Sequence, residues 1–357
     1  MRRRSIAAIA MACASSAALA ACGGSDDGAS SKSGSSGSKE LTFVSYGEGT
    51  YQDAQQAAWL NPFEQAKGAK VTIAGPSDNA KLTTMVKANN VSWDVVDTDA
   101  FFPQENCGTL VEKIDVGSLA GAFPKGTLSS CGVPDALFGL LFMYNAKTYG
   151  DKPPASLADF FDPKAFPGKR VIFSADPTIG NLEAALMGDG VAPDALYPLD
   201  VNRALKAFDR IKSDLILSPT YGAQQQAMVG NQADMALVVS ARAYSVLKAG
   251  GTNWKPVWDH VPVTWDVLVI PKGAPHADLA QQFIRYASQP EQSAGFAERS
   301  GAGAANVNAK PKITDPLQRE VNAFSPEHQS IQVPVDAQWW TKNRAKTVEA
   351  WTRWTSG

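Results

Sequence analysis

The stretch "VPVTWDVLVIPKGAPHADLAQQFIRYASQPE", residues 261–291, changes periodicity halfway along. Asp266-Val-Leu-Val-Ile270 is short, apolar and β-branched, which reads as a buried strand. Pro271-Lys-Gly273 turns the chain. From Ala277 to Ser288, Leu279, Phe283, Ile284 and Ala287 recur at helical spacing, and Pro290 reads as the stop. A strand passed to a helix across one tight turn is the repeating unit of an α/β fold.

The same alternation extends outward. Strands are expected at Leu41–Tyr46, Val71–Ala74, Asp94–Thr98, Phe138–Tyr144, Arg170–Phe173 and Met235–Val239. Helices are expected at Asp53–Lys67, Lys81–Asn89, Leu182–Met187 and Asn202–Lys212. The pattern predicts a mostly parallel sheet with helical cover. No internal repeat of solenoid length is visible.

The opening of the chain decides its compartment. Arg2, Arg3 and Arg4 precede a small, apolar run from Ser5 to Ala21, the parts of a secretory signal peptide. Leu19-Ala20-Ala21-Cys22 resembles the lipobox of bacterial lipoproteins, in which the cysteine is acylated after cleavage. Gly23–Lys39 holds Ser, Gly, Asp and Lys with a lone Ala29 and cannot bury a core, so a flexible tether is expected. The body is then an extracytoplasmic domain on a lipid anchor, held to the bacterial cell membrane in the periplasm or at the cell surface. Loss of the signal leaves 30 basic against 35 acidic residues, and no basic stripe points to nucleic acid. With Cys13 cleaved away and Cys22 acylated, Cys107 and Cys131 remain, either as a disulfide or as two buried thiols.

Catalytic sets are thin. His260, His276 and His328 are scattered, and no HExxH, GxSxG or Walker pattern occurs. No cofactor or metal is implied, and the chain is not read as an enzyme. An enzyme on the same scaffold stays as an alternative class and would need a nucleophile beside a base. A protein-binding surface lipoprotein is a third class and would need an exposed apolar patch.

Several segments resemble the polyamine branch of the extracellular solute-binding proteins of ABC importers, the spermidine/putrescine-binding type. They are "MYNAKTYGDKPPASLADFFDPKAFPGKR" from Met143, "LEAALMGDGVAPDALYPLD" from Leu182, residues 261–291, and the tryptophans Trp339, Trp340, Trp351 and Trp354. The resemblance implies a two-lobed type II periplasmic-binding-protein fold, a small solute in the interlobe cleft, a membrane permease as partner and a monomer. It places lobe 1 at 40–143 plus 267–330, lobe 2 at 144–266, and a Trp-rich C-terminal helix at 331–357.

Carried onto matching positions, the resemblance implies ligand contacts from Tyr46, Glu48, Asp99, Phe101, Asp176, Trp265 and Asp266. Two positions depart from the polyamine pattern: Ile179 and Arg242 stand where that branch has acids. Asp266, between Trp265 and an apolar run, would be buried and would need a partner. Arg242 raises the same question and could pair with Asp266 or Asp234, or grip a carboxylate. The expected solute bears an amine: a polyamine such as putrescine or spermidine, or alternatively a zwitterionic ω-amino acid like γ-aminobutyrate, or a small carboxylate. Iron capture is disfavoured because adjacent paired tyrosines are absent and Tyr221 stands alone.

Overall fold

The computed structural model describes residues 39–47 and 49–357. The signal segment, Cys22, the tether as far as residue 38 and Glu48 lie outside the described residues. In chain order the strands are β1 (Glu40–Val44), β2 (Lys70–Ala74), β3 (Val95–Asp99), β4 (Val133–Asn145), β5 (Arg170–Phe173) and β6 (Leu215–Ser218). They continue with β7 (Met235–Val239), β8 (Trp254–Val257), β9 (Val261–Val269), β10 (Gly303–Ala304) and β11 (Gln332–Pro334).

The sheet runs β2-β1-β3-β9-β4-β7-β5-β6, with β8 and β10 also paired to β4 and β11 to β9. Each end of this order is parallel: β2-β1-β3 on one side and β7-β5-β6 on the other. The middle is not. β9 is antiparallel to β3 and β4, and β4 is antiparallel to β7. The sheet is therefore mixed, where the alternation of strands and helices predicted a mostly parallel one. β4 carries the chain out of the first lobe and β9 carries it back, so the two run in opposite senses.

Residues Val133–Gly139 of β4 pair with β9, and Leu140–Tyr144 pair with β7. The partner changes between Gly139 and Leu140, upstream of the exit expected near Tyr144. Apolar residues run unbroken through this crossing, so nothing in the local composition marks it. Gly139 is required there by close approach: a Cβ would fall 2.6 Å from Cβ of Ala323 and 2.8 Å from Cγ1 of Val261.

Strands β3 and β7 are buried along their whole length, as expected of strands covered on both faces. Sequence periodicity missed β6, β8 and the helices Tyr221–Val229, Ser240–Lys248 and Pro290–Ser300. Pro290 does follow the end of helix Ala277–Ala287, but it is the first residue of the next helix, where its missing N–H costs nothing. The C-terminal helix Ala337–Ser356 starts at Asp336, whose carboxylate accepts the amides of Gln338 and Trp339. It is fastened to the second lobe by three indole N–H groups: Trp340 to Glu183, Trp351 to the Ser174 carbonyl and Trp354 to Asp209, each at 2.7 Å. A disulfide joins Cys107 to Cys131, with Cα atoms 5.5 Å apart. No helix among the described residues is long and apolar enough to cross a membrane.

Candidate functional site

A cavity opens where the two lobes meet, at strand ends and loops from both. The first lobe contributes Tyr46 beyond β1, Asp99 at the end of β3, and Trp265 with Asp266 on β9. The last two pair with β3 and the first half of β4, where the expected boundary after Asp266 would put them in the second lobe. The second contributes Asp176, Tyr221 and Arg242. Carboxyl ends of strands are where open α/β sheets expose binding groups, because loops there are free to vary. Six of the sequence-predicted residues thus come together: Tyr46, Asp99, Asp176, Arg242, Trp265 and Asp266. Phe101 does not line the wall. It is fully buried behind it, edge-on to Trp265 at 5.5 Å and stacked on Trp340 at 5.9 Å between ring centroids.

Arg242 stands in the first turn of helix Ser240–Lys248 and is only 6% exposed. Among the described residues its guanidinium makes no ion pair or hydrogen bond. It lies over the rings of Tyr221 and Tyr51, 5.2 and 5.9 Å from their centres. Neither Asp266 nor Asp234 pairs with it; Asp234 instead accepts the Thr148 hydroxyl and the Lys169 amide. Burial pulls the guanidinium's pKa below its ordinary value, while nearby Tyr221, Tyr51, Asp97 and Asp266 oppose that shift. A helix N-terminus and a buried guanidinium at one spot both attract an anion.

Asp266 is the opposite pole. The Tyr46 hydroxyl donates to it weakly, at 3.4 Å. Burial, then the charges of Asp97, Asp135, Asp99 and Asp176, push its carboxyl well above the ordinary range. The register explains the crowding, because Asp266 on β9 lies opposite Asp99 on β3 and opposite Ala136 on β4, next to Asp135. Asp97 is held by the Tyr51 hydroxyl at 3.0 Å and the Gln55 amide at 2.6 Å, and burial raises it to about 7. Both oxygens of Asp135 are enclosed and lack a well-formed hydrogen bond among the described residues. Burial, then the charge of Asp97, raises its pKa well above normal against the pull of the nearby Asp135 and Ala136 amides. Burial and mutual charge disfavour the ionised forms of these acids, and a cation placed among them acts in the opposite direction.

The other two expected acids are already engaged. One oxygen of Asp99 accepts the amides of Phe101 and Phe102, and the other accepts Asn79 Nδ2 at 2.9 Å and Arg344 Nη2 at 3.0 Å. Asp176 accepts the Thr178 amide at 2.8 Å and caps the turn Pro177–Ile179. Of the four expected carboxylates, Asp99 is fully engaged, Asp176 spends one oxygen on an amide, Asp266 has one weak partner among the described residues, and Glu48 lies outside them.

Sequence reasoning missed Tyr51, Phe138, Phe173 and Tyr221, which complete the aromatic wall. Tyr221 has no adjacent tyrosine in sequence, but it is not alone in space. It is stacked on Phe173, 4.1 Å between centroids and 11° between planes, and meets Tyr46 edge-on at 6.2 Å. Its position at the head of a helix after β6 is the signal the sequence carries for it. Tyr46, Tyr221 and Arg242 also border a wider outer pocket whose other walls include Gln52, Thr220 and Gln225.

Comparison with known proteins agrees with this architecture. The sequence pattern of the bacterial extracellular solute-binding protein family matches residues 58–324. A γ-aminobutyric acid-binding protein of Pseudomonas aeruginosa is 29% identical over 330 residues, covering 89% of this chain and 91% of that protein. Among solved structures, the binding protein AgtB of A. tumefaciens R10 in complex with agropinic acid is 34% identical, with a TM-score of 0.79. That match covers 89% of this chain and 99% of the other. The Atu4243 GABA receptor is 33% identical with a TM-score of 0.76, over 88% of this chain and 97% of that one.

Proposed function

This chain belongs to the bacterial extracellular solute-binding protein family, as the solute-binding component of an ABC transporter, and we propose that its solute is an ω-amino acid of the γ-aminobutyrate type. The observation that carries the reading is Arg242, a buried cation at the cavity wall with no anionic partner among the described residues. A ligand carboxylate supplies that partner through the planar guanidinium fork. The ammonium end meets Asp266, with Tyr46 and Trp265 beside it. A polyamine fits less well, because Arg242 repels a second ammonium and Asp99 is already paired. Relatives that bind γ-aminobutyrate or agropinic acid support a carboxylate-bearing solute, so the alternative expectation replaces the polyamine one.

A larger carboxylated solute is the second reading, favoured by the outer pocket that shares Arg242 with the inner cavity. Cys22 is the proposed acylation site, and a membrane permease the proposed partner. Calorimetry against γ-aminobutyrate and putrescine, on wild type and Arg242→Ala, tests the reading. Wild type should bind the amino acid and the variant should lose it. Binding of putrescine that persists or improves in the variant would return the polyamine assignment.

A further inference from the structure

Asp99 forms part of the cavity wall, yet its carboxylate is held by a residue from far along the chain. Arg344 stands one helical turn beyond Trp340, on a helix whose indole contacts fasten it to the second lobe. From there it crosses to the first lobe, placing Nη2 3.0 Å from Asp99 and Nη1 3.5 Å from Glu105. Thr341, on the same helix, also bonds Gln104 of the first lobe at 2.6 Å. The Asp99–Arg344 pair is well enclosed, with side chains 10% and 16% exposed. Asp99 thus has no oxygen left for a ligand: two backbone amides, Asn79 and Arg344 use its acceptor capacity.

We propose that Arg344 is the positioning residue that sets the charge class of the solute, by withdrawing Asp99 from the cleft so that one ammonium is accepted and not two. The inference rests on the assignment of Arg242 and Asp266 as carboxylate and ammonium sites. Without Arg344, Asp99 would present an uncompensated carboxylate on the same wall as Asp266, a pair of negative poles suited to an α,ω-diamine. With it, Asp99 is closed off, and Asp176, which spends one oxygen on the Thr178 amide, lies under the charge of the same guanidinium. Among the described wall acids Asp266 alone has neither an amide nor Arg344 against it. Arg344 also faces Asp176, whose charge acts on it together with those of Asp99 and Glu105; these outweigh burial and hold the guanidinium's pKa above its ordinary value. The arginine therefore stays charged throughout the working range, and the selection it imposes does not titrate away.

Calorimetry with γ-aminobutyrate and 1,4-diaminobutane on the full chain tests this. Arg344→Gln should shift the ratio of the two affinities toward the diamine by about tenfold, the scale of one charge-assisted contact. Arg344→Lys, which restores a charge, should restore rejection of the diamine. Adding Asp99→Asn to Arg344→Gln should abolish the gain. Equal weakening of both ligands in Arg344→Gln, or a diamine gain that survives Asp99→Asn, would overturn the proposal and leave Arg344 as a helix fastener. If Arg344→Gln fails to fold, as judged by circular dichroism, Asp99→Asn alone serves. Because Arg344 has already withdrawn Asp99 from the cleft, this variant should leave the ratio of γ-aminobutyrate to diamine affinity within about twofold of wild type. A loss of diamine affinity of about tenfold would show that Asp99 was reading the solute directly and would overturn the proposal. Wild type that binds neither γ-aminobutyrate nor the diamine would instead refute the underlying ligand assignment.

Discussion

The guanidinium of Arg242 lies 5.2 Å from the centre of the Tyr221 ring, and that ring is itself stacked on Phe173. The cation is steered by an aromatic shelf, and among the described residues no carboxylate takes its hydrogen-bonding edge. Tyr221→Ala removes the shelf and should weaken ω-amino acid binding by about tenfold, in line with a cation–π contact of about 0.5–2 kcal/mol. Tyr221→Phe keeps the ring and should bind almost as wild type. Titration calorimetry on both variants checks the contrast.

Asp266→Asn should abolish most ligand binding, because a neutral amide cannot answer the ammonium. The loss expected from one hydrogen bond to a charged group is about 1.5–3 kcal/mol, roughly ten- to a hundredfold in affinity. The unliganded protein should be no less stable, since the variant removes an acid whose burial already opposes ionisation. Thermal unfolding with and without ligand separates the two effects.

Much of this pole was legible beforehand. An acid between Trp265 and a run of β-branched residues, and an arginine directly after Met235–Val239, are both out of place in a core, and that anomaly pointed to function. Tyr51 and Tyr221 were not legible, because an aromatic in the first turn of a helix looks the same whether it faces a core or a cleft. Asp97 sits inside a strand that reads simply as buried, and Asp135 precedes the strand expected from Phe138, which begins at Val133. The pairing of Asp99 with Arg344 joins positions 245 apart and leaves no local trace. The crossing at Gly139 was hidden by continuity: β4 is one apolar strand that serves two lobes.

The buried acids give a pH dependence of definite sign. Asp97 titrates near 3.8 when exposed and at about 7 in the fold, so the folded state holds the extra proton between those values. Its contribution to stability is full below about 4 and is lost as pH rises through about 7, with Asp135 and Asp266 acting in the same direction. Denaturant unfolding at pH 5 and pH 8 should show the unliganded protein less stable at pH 8, by an amount on the order of a few kcal/mol. Asp97→Asn should flatten the slope. Affinity for an ammonium should move oppositely, falling as pH is lowered.

Cys107 and Cys131 should show no free thiol in the folded body. Reduction should cost about 3 kcal/mol of stability in the chain-entropy model for a loop of this size. Alkylation without reductant, followed by mass measurement, checks the first point, and unfolding with and without dithiothreitol checks the second.

Cys22→Ser should release the protein from membranes into the soluble fraction. A wild-type protein that already fractionates as soluble would refute the anchor. Fractionation of cells expressing each form makes the comparison.

Trp265 is the one tryptophan that lines the cavity, and its ring leads through Phe101 to Trp340. The chain therefore carries an optical reporter at the wall of the proposed binding cavity. A solute that enters displaces water from one face of that indole and brings a charge close to it, so occupancy is written into the wavelength and intensity of the protein's own emission. Binding can then be followed on the unlabelled molecule, in microseconds by rapid mixing or relaxation, with Trp265→Phe as the silent counterpart.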